Sequence, residues 1–243
     1  MSLTFIQMAD PQFGMFSSIS KLTKKETESK SREGMKLRYV EKEYEGFAPE
    51  TILFTRAIKY ANEYSPDFVV ICGDMVNESG SEEQRNELFR IAEQLHEEIP
   101  IYWVSGNHDV GNSPTSETLR SYRGFFGQDN YSFKRGNCYF ITINSSVCSD
   151  PSSVPDEWDS LILFLEKELA EASRIDSLHK IIFLHHPLFL ENAGESDNYF
   201  VIPSPRRQQI ISLIDGNNVS AVFSGHLHKN NYQSLNGVEY IST

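Results

Sequence analysis

Cysteine is scarce in this chain: three in 243 residues, Cys72, Cys138 and Cys148. An odd count in a chain of this length is not a disulfide framework, and a reducing cytoplasm is the expected setting. No apolar run approaches the ~20 residues that span a bilayer, so no membrane association is expected. The segment Met1 to Asp10 lacks a basic start and a long apolar stretch, so no signal peptide is read there. Basic residues are also in deficit, 22 Lys plus Arg against 34 Asp plus Glu, for a net charge of −12. That argues against binding a nucleic-acid polymer, which calls for a basic footprint. A phosphorylated partner stays open, because a bound metal supplies its own positive charge.

What is present is a globular composition, with 39% hydrophobic and 12% aromatic residues, which excludes disorder. The length fits one domain over residues 1–243. Near-continuous β-branched and aromatic runs predict strands at Leu3–Ala9, Asp67–Cys72, Ile99–Val104, Cys138–Asn144, Lys180–Leu184 and Val219–Phe223. Helical spacing places Ile52, Leu53, Ala57, Ile58 and Ala61 on one face of a helix from Pro49 to Tyr64. Ser81, with Gln84 three residues on, has the pattern of a capping box opening a helix that carries Leu88, Ile91, Ala92 and Leu95. Trp158, Leu161, Ile162, Leu165, Leu169 and Ala172 form a third stripe, and Ser204-Pro205 reads as an N-cap and first residue of a fourth helix. Strands alternating with helices predict a layered α/β domain. Residues 17–46, dense in Lys, Arg, Glu and Ser, read as a charged insertion after the first strand, solvated or acting as a lid.

Almost every predicted strand ends in a small polar group: Asp10-Pro11-Gln12, Gly73-Asp74, Gly106-Asn107-His108-Asp109, His185-His186 and Gly225-His226-Leu227-His228. Singly, several are ordinary turn residues. Gly225, just before His226 and His228, is a place where the backbone can turn. Together they matter, because ligands of open α/β sheets bind outside the carboxyl ends of the strands. Five such groups converging on one rim offer carboxylate, amide and imidazole donors and no thiolate, a set suited to Mn, Fe or Zn.

These blocks resemble the calcineurin-like metallophosphoesterases. The stretches ADPQFG, CGD, SGNHDVGNSPT, HHPLFLE and SGHLHKN are, more closely, similar to the calcineurin-like phosphoesterase domain-containing protein 1 group. The likeness runs from Phe5 to the C-terminus. It implies a four-layer α/β/β/α sandwich of two mixed sheets. It also implies two divalent metal ions, Mn, Fe or Zn. Asp10, Asp74 and His228 would hold the first, with Gln12 where the family usually has histidine. Asp74, bridging, would hold the second with Asn107, His185 and His226; His186, beside a ligand position, is left out of the metal set. Members of the family usually continue with further strands after the last block, so a chain ending at Ile241-Ser242-Thr243 is expected to be C-terminally incomplete.

The resemblance further implies hydrolysis of a phosphate ester, with solvent held as hydroxide between the ions attacking phosphorus. Asn107 would help hold the phosphoryl oxygens. His108 would protonate the leaving alkoxide, and Asp109 would orient the His108 ring and raise its pKa. The leading expectation is a metal-dependent phosphomonoesterase acting on a phosphorylated protein or small molecule, with phosphoserine and phosphothreonine as candidates. The alternatives are a phosphodiesterase or pyrophosphatase acting on nucleotides and, from another class, a catalytically silent scaffold. Glu191 to Phe200 reads as a rim contacting the non-phosphate part of the substrate, or as a plain solvated loop.

Overall fold

The computed structural model describes residues 3–32, 35, 37–175 and 178–243. Along the described chain the strands are β1 (Phe5–Met8), β2 (Phe68–Cys72), β3 (Ile101–Val104), β4 (Tyr131–Arg135), β5 (Cys138–Thr142), β6 (His179–Phe183), β7 (Ala221–Ser224), β8 (Asn231–Leu235) and β9 (Val238–Ser242). The helices are α1 (Met15–Ser20), α2 (Lys24–Arg32), α3 (Ala48–Tyr64), α4 (Glu82–Ala92), α5 (Asn107–Val110), α6 (Ser116–Phe126), α7 (Ser145–Ser149), α8 (Pro155–Arg174) and α9 (Ser204–Asp215). They make two sheets. One has the order β1-β2-β3 and is parallel throughout. The other, β4-β5-β6-β7-β9-β8, is mixed, with antiparallel pairs at its two edges.

Side-chain alternation builds the layers. Phe68, Val70 and Cys72 of β2 share a buried cluster with Phe140, Ile181 and Phe183 of the larger sheet. Aromatic rings fill this inter-sheet space: Phe5 stacks on Phe68 at 5.1 Å and meets Phe140, Phe183 and Phe223 edge-on. Offset and edge-to-face pairs of this kind add to the area they bury. The intervening residues, Val69 and Ile71 on one sheet and Ile141, Ile182 and Val222 on the other, turn outward onto helices. Phe89 of α4 packs on Trp103 of β3, and Glu168 of α8 accepts a hydrogen bond from Tyr139 of β5 at 2.6 Å. Helix, sheet, sheet and helix therefore stack as four layers.

The face of α3 that is buried runs through Glu50, Phe54, Ile58 and Ala61. Ile52 and Leu53, expected in its core stripe, are 66% and 55% exposed. Ile52 falls on the opposite face of the helix at 3.6 residues per turn. Part of the 17–46 segment is also more ordered than its composition suggests, because it holds most of α1 and all of α2. Glu50 fastens the start of that region, accepting the backbone N–H groups of Gly14 and Phe16 at 3.1 and 3.0 Å. At the start of α9, Pro203 occupies the cap position and Ser204 begins the helix, one residue from the expected register. Among the described residues no helix is long and apolar enough to cross a membrane.

Candidate active site

The five polar groups follow β1, β2, β3, β6 and β7, so both sheets contribute to one rim. Backbone hydrogen bonds knit the loops there: Gln12 donates to the Asp74 carbonyl at 2.8 Å, and Gly225 to that of His185 at 3.0 Å. The Asp10 carboxylate accepts the backbone N–H of His226 at 3.0 Å, joining the first block to the last.

Five of the polar side chains are aimed by an unusual backbone. Eight non-glycine residues among those described have positive φ, and five of them are Asp10, Gln12, Asp74, His226 and His228. Left-handed geometry at such residues costs of order 1–3 kcal/mol each and persists where the surroundings enforce it. The turn expected at Gly225 is therefore made at His226 and His228, with φ of 69° and 50°. Gly225 serves a different need. A Cβ there would lie 2.6–2.7 Å from Asp10 Oδ2, the Ala9 Cβ and the Cys72 carbonyl. Gly106 is alike, since its Cβ would lie 2.2 Å from the backbone nitrogen and Oδ1 of Asp74.

His185 is the hub of the side chains. Its Nδ1 lies 2.8 Å from the Cys72 carbonyl oxygen, which only accepts, so the ring hydrogen is on Nδ1. Its Nε2 lone pair then faces Asn107 Oδ1 at 3.1 Å, His226 Nδ1 at 3.2 Å and Asp74 Oδ2 at 3.3 Å. His226 likewise donates from Nε2 to the Tyr199 carbonyl at 3.2 Å, which leaves its Nδ1 without a proton. Four acceptor atoms thus point at one another inside the protein. A cation relieves that repulsion, and separations of 3.1–3.3 Å match the edges of a polyhedron with bonds of about 2.0–2.2 Å. His228 Nε2 stands 3.4 Å from Asp10 Oδ1. Asp10, Asp74 and His185 also place one donor atom each within 4.8 Å of the others. Gln12 turns its amide nitrogen to Asn77 Oδ1 at 3.2 Å, while its Oε1 is buried and accepts no hydrogen bond. The donor set fits divalent metal.

The cluster calls for a positive charge at His185 Nε2, which either a proton or a metal ion can supply. Burial alone would lower the His185 pKa, but Asp74 and Asp10 outweigh it and lift the ring to about 9. Burial would raise Asp74, yet His185 and His108 hold it well below the usual carboxylate range. For His226, burial and then His185 push the ring down to about 3, so it remains a neutral donor.

His108 is half-buried beside this cluster. Its backbone N–H donates to Asp74 Oδ1 at 2.9 Å, and its Nδ1 to the Asn77 carbonyl at 2.8 Å. The expected pairing of Asp109 with His108 is not formed. Asp109 instead accepts the backbone N–H groups of Gly106, Met75 and Val76 at 2.7, 2.9 and 3.3 Å. Its position at N3 of the short helix α5 turns its carboxylate back toward Gly106 at the N-cap, away from the His108 ring. Burial first, then Asp74, raises its pKa to about 8 against those N–H bonds.

Three further contributors lie outside the ligand and catalytic set read from the sequence. Ser145 Oγ accepts the backbone N–H groups of His185 and His186 at 3.0 and 2.8 Å and bonds His186 Nδ1 at 2.9 Å. His186 is thereby held in the second layer of the site, with burial and the neighbouring rings of His226 and His185 keeping it neutral. The Tyr199 ring packs 4.9 Å from His226. Asn77 supplies the carbonyl that His108 uses. Tyr199 lies in the segment Glu191 to Phe200, which follows His185 and reads as a rim, and Asn77 lies just beyond the Gly73-Asp74 group.

Residues 4–230 match the calcineurin-like phosphoesterase family. A rat protein named serine/threonine-protein phosphatase CPPED1 is 34% identical over 241 residues, covering 96% of this chain and 73% of its own. Two solved structures share the fold. A dimetal phosphatase from Danio rerio, 15% identical, covers 99% of this chain and 86% of its own with a TM-score of 0.62. A purple acid phosphatase from yellow lupin (Lupinus luteus) seeds, 16% identical, covers 99% and 43% with a TM-score of 0.64. Sequence match, fold and a converging set of metal donors lead to one assignment: the chain belongs to the calcineurin-like phosphoesterase family.

Proposed function

We propose that this chain is a metal-dependent phosphomonoesterase acting on phosphoserine and phosphothreonine in proteins. The observation that carries it is the nest of unprotonated donors around His185 Nε2, with the His108 ring alongside. The protein substrate is taken from the likeness to rat CPPED1. Asp10, Gln12, Asp74 and His228 would hold one divalent ion, Mn, Fe or Zn, and Asp74, Asn107, His185 and His226 a second. Such ions supply Lewis acidity toward phosphoryl oxygens and lower the pKa of solvent.

The side chains do the rest. Asn107 orients the phosphoryl group, and Tyr199, bordering it, contacts the part of the substrate beyond phosphate. His108 keeps Nδ1–H on the Asn77 carbonyl, so its doubly protonated ring would deliver the Nε2 proton to the leaving alkoxide and be left as the neutral Nδ1–H form. Proton donation at that point is worth ~10²–10⁴-fold. Asp109 acts on His108 only through the backbone it secures. Three unpaired cysteines support a cytoplasmic setting.

The test is a panel assayed with added Mn, Fe and Zn: a phosphoserine peptide, nitrophenyl phosphate, its diester and a cyclic nucleotide. Both monoesters are expected to be hydrolysed, and a chelator to stop the reaction. Faster turnover of the diester or the cyclic nucleotide would overturn the reading. His108→Ala is expected to lose about 10²-fold in kcat on the peptide, and less on nitrophenyl phosphate, whose leaving group needs little protonation.

A further inference from the structure

Gln84 has the sequence position of a capping-box partner, but its side chain goes elsewhere. Ser81 caps α4 as expected, accepting the Gln84 backbone N–H at 3.3 Å. The reciprocal bond is missing, because the Ser81 N–H donates to the Glu78 carbonyl at 2.9 Å. Gln84 Oε1 reaches past Ser81 and accepts the backbone N–H groups of Asn77 and Glu78, both at 2.9 Å. The peptide between those two residues carries the Asn77 carbonyl, and that oxygen holds His108 Nδ1 at 2.8 Å. One amide oxygen therefore brackets the peptide unit that fixes the His108 ring.

We infer that Gln84 is a positioning residue for His108, acting through the Asn77–Glu78 backbone. The inference rests on the proton-donor role proposed for His108. Its chemistry is simple. The carbonyl facing Nδ1 keeps one proton there, so the proton the ring gives up is the one on Nε2, on the side of the site. The Asn77 N–H is shared with the Phe13 carbonyl at 3.0 Å, whereas Gln84 is the acceptor that holds Glu78. Gln84 is buried and its amide lies against Gly14, where a Cβ would come within 2.4 Å of Nε2. The side chain is thus boxed in on its free end, and its oxygen has little room to move. Releasing the Glu78 N–H lets the peptide rotate, which shifts the carbonyl and with it the ring. A displacement of about 1 Å costs up to ~10²-fold in rate when the group concerned takes part in chemistry.

Gln84→Leu removes the acceptor at similar volume, and Gln84→Asn withdraws it by one methylene should the leucine variant fold poorly. Gln84→Glu keeps an acceptor oxygen at a helix position that favours negative charge. With Mn-loaded enzyme, the leucine or asparagine variant is expected to lose about 10-fold or more in kcat on a phosphoserine peptide. KM and bound metal should stay near parent values, the loss on nitrophenyl phosphate should be smaller, and Gln84→Glu should restore most of the rate. Nitrogen spectra of the Zn-loaded proteins should show His108 protonated on Nδ1 in the parent and mixed in the variant. Equal losses on both substrates, no loss, or an unchanged His108 spectrum would overturn the role of Gln84. His108→Ala assayed alongside separates the two ideas. If it shows the leaving-group pattern and the Gln84 variants do not, only the positioning inference fails; if it does not, the proton-donor role fails and the inference with it.

Discussion

Gln12 has its amide split between two environments: Nε2 donates to Asn77, and Oε1 is buried with no hydrogen bond. An acceptor left alone in the interior costs about 1–3 kcal/mol, a cost that a cation removes. Replacing this weak neutral donor with imidazole should strengthen metal binding. In calorimetric titrations of the metal-free proteins with Mn, Gln12→His is expected to tighten the weaker site by about 10-fold, or ~1.4 kcal/mol. Unchanged affinity would remove Gln12 from the proposed ligand set. At this scale much of the candidate site was legible. Asp10, Asp74, Asn107, His185, His226 and His228 each follow a strand and each bring a donor atom to the rim. What could not be read was how they are held. Ser145 and Asn77 act through groups that every chain has many of, a hydroxyl and a main-chain carbonyl, and spacing along the sequence does not reveal where these point. Asp109 shows the same limit, since adjacency to His108 suggested a contact that helix geometry directs elsewhere.

Elements were legible where burial was two-sided. The runs around β2, β5 and β6 are apolar without interruption because one face meets the other sheet and the other meets helices. The edge strands β4 and β8 have a solvent side, alternate with polar residues, and gave no apolar run to find. The helix α6 escaped for a related reason: its buried residues are only Leu119 and Tyr122. The close-packed turns make a sharper test of the elements. Gly106, at the N-cap of α5, lies against the Asp74 backbone, so Gly106→Ala must displace main chain and is expected to cost ~3 kcal/mol. Gly124, inside α6 with open space at its Cβ, is the control, and Gly124→Ala should stabilise by ~0.5–1 kcal/mol. Urea unfolding of the metal-free proteins measures both. A Gly106→Ala protein as stable as the parent would refute the packing described.

For the whole molecule, metal should act as a ligand of the native state alone. The donors come from five separate stretches of chain, and the unfolded protein does not present them together. At a free concentration 100 times the dissociation constant, binding adds ~2.7 kcal/mol, which for a chain of this size raises Tm by about 5–10 °C. Thermal melts with and without Mn, and with excess chelator, check this; a parent protein with no shift would speak against a metal centre. The bond between Asp10 and the N–H of His226 joins positions 216 residues apart, and Gln7 donates to Thr243 Oγ1 across 236. Contacts so distant along the chain form late and slowly in folding. The centre therefore exists only once the chain from Asp10 through His228 has been made and packed, and a copy in which these segments have not met does not hold it in place. Metal uptake should consequently trail refolding, following the phase in which the first and last of these blocks meet.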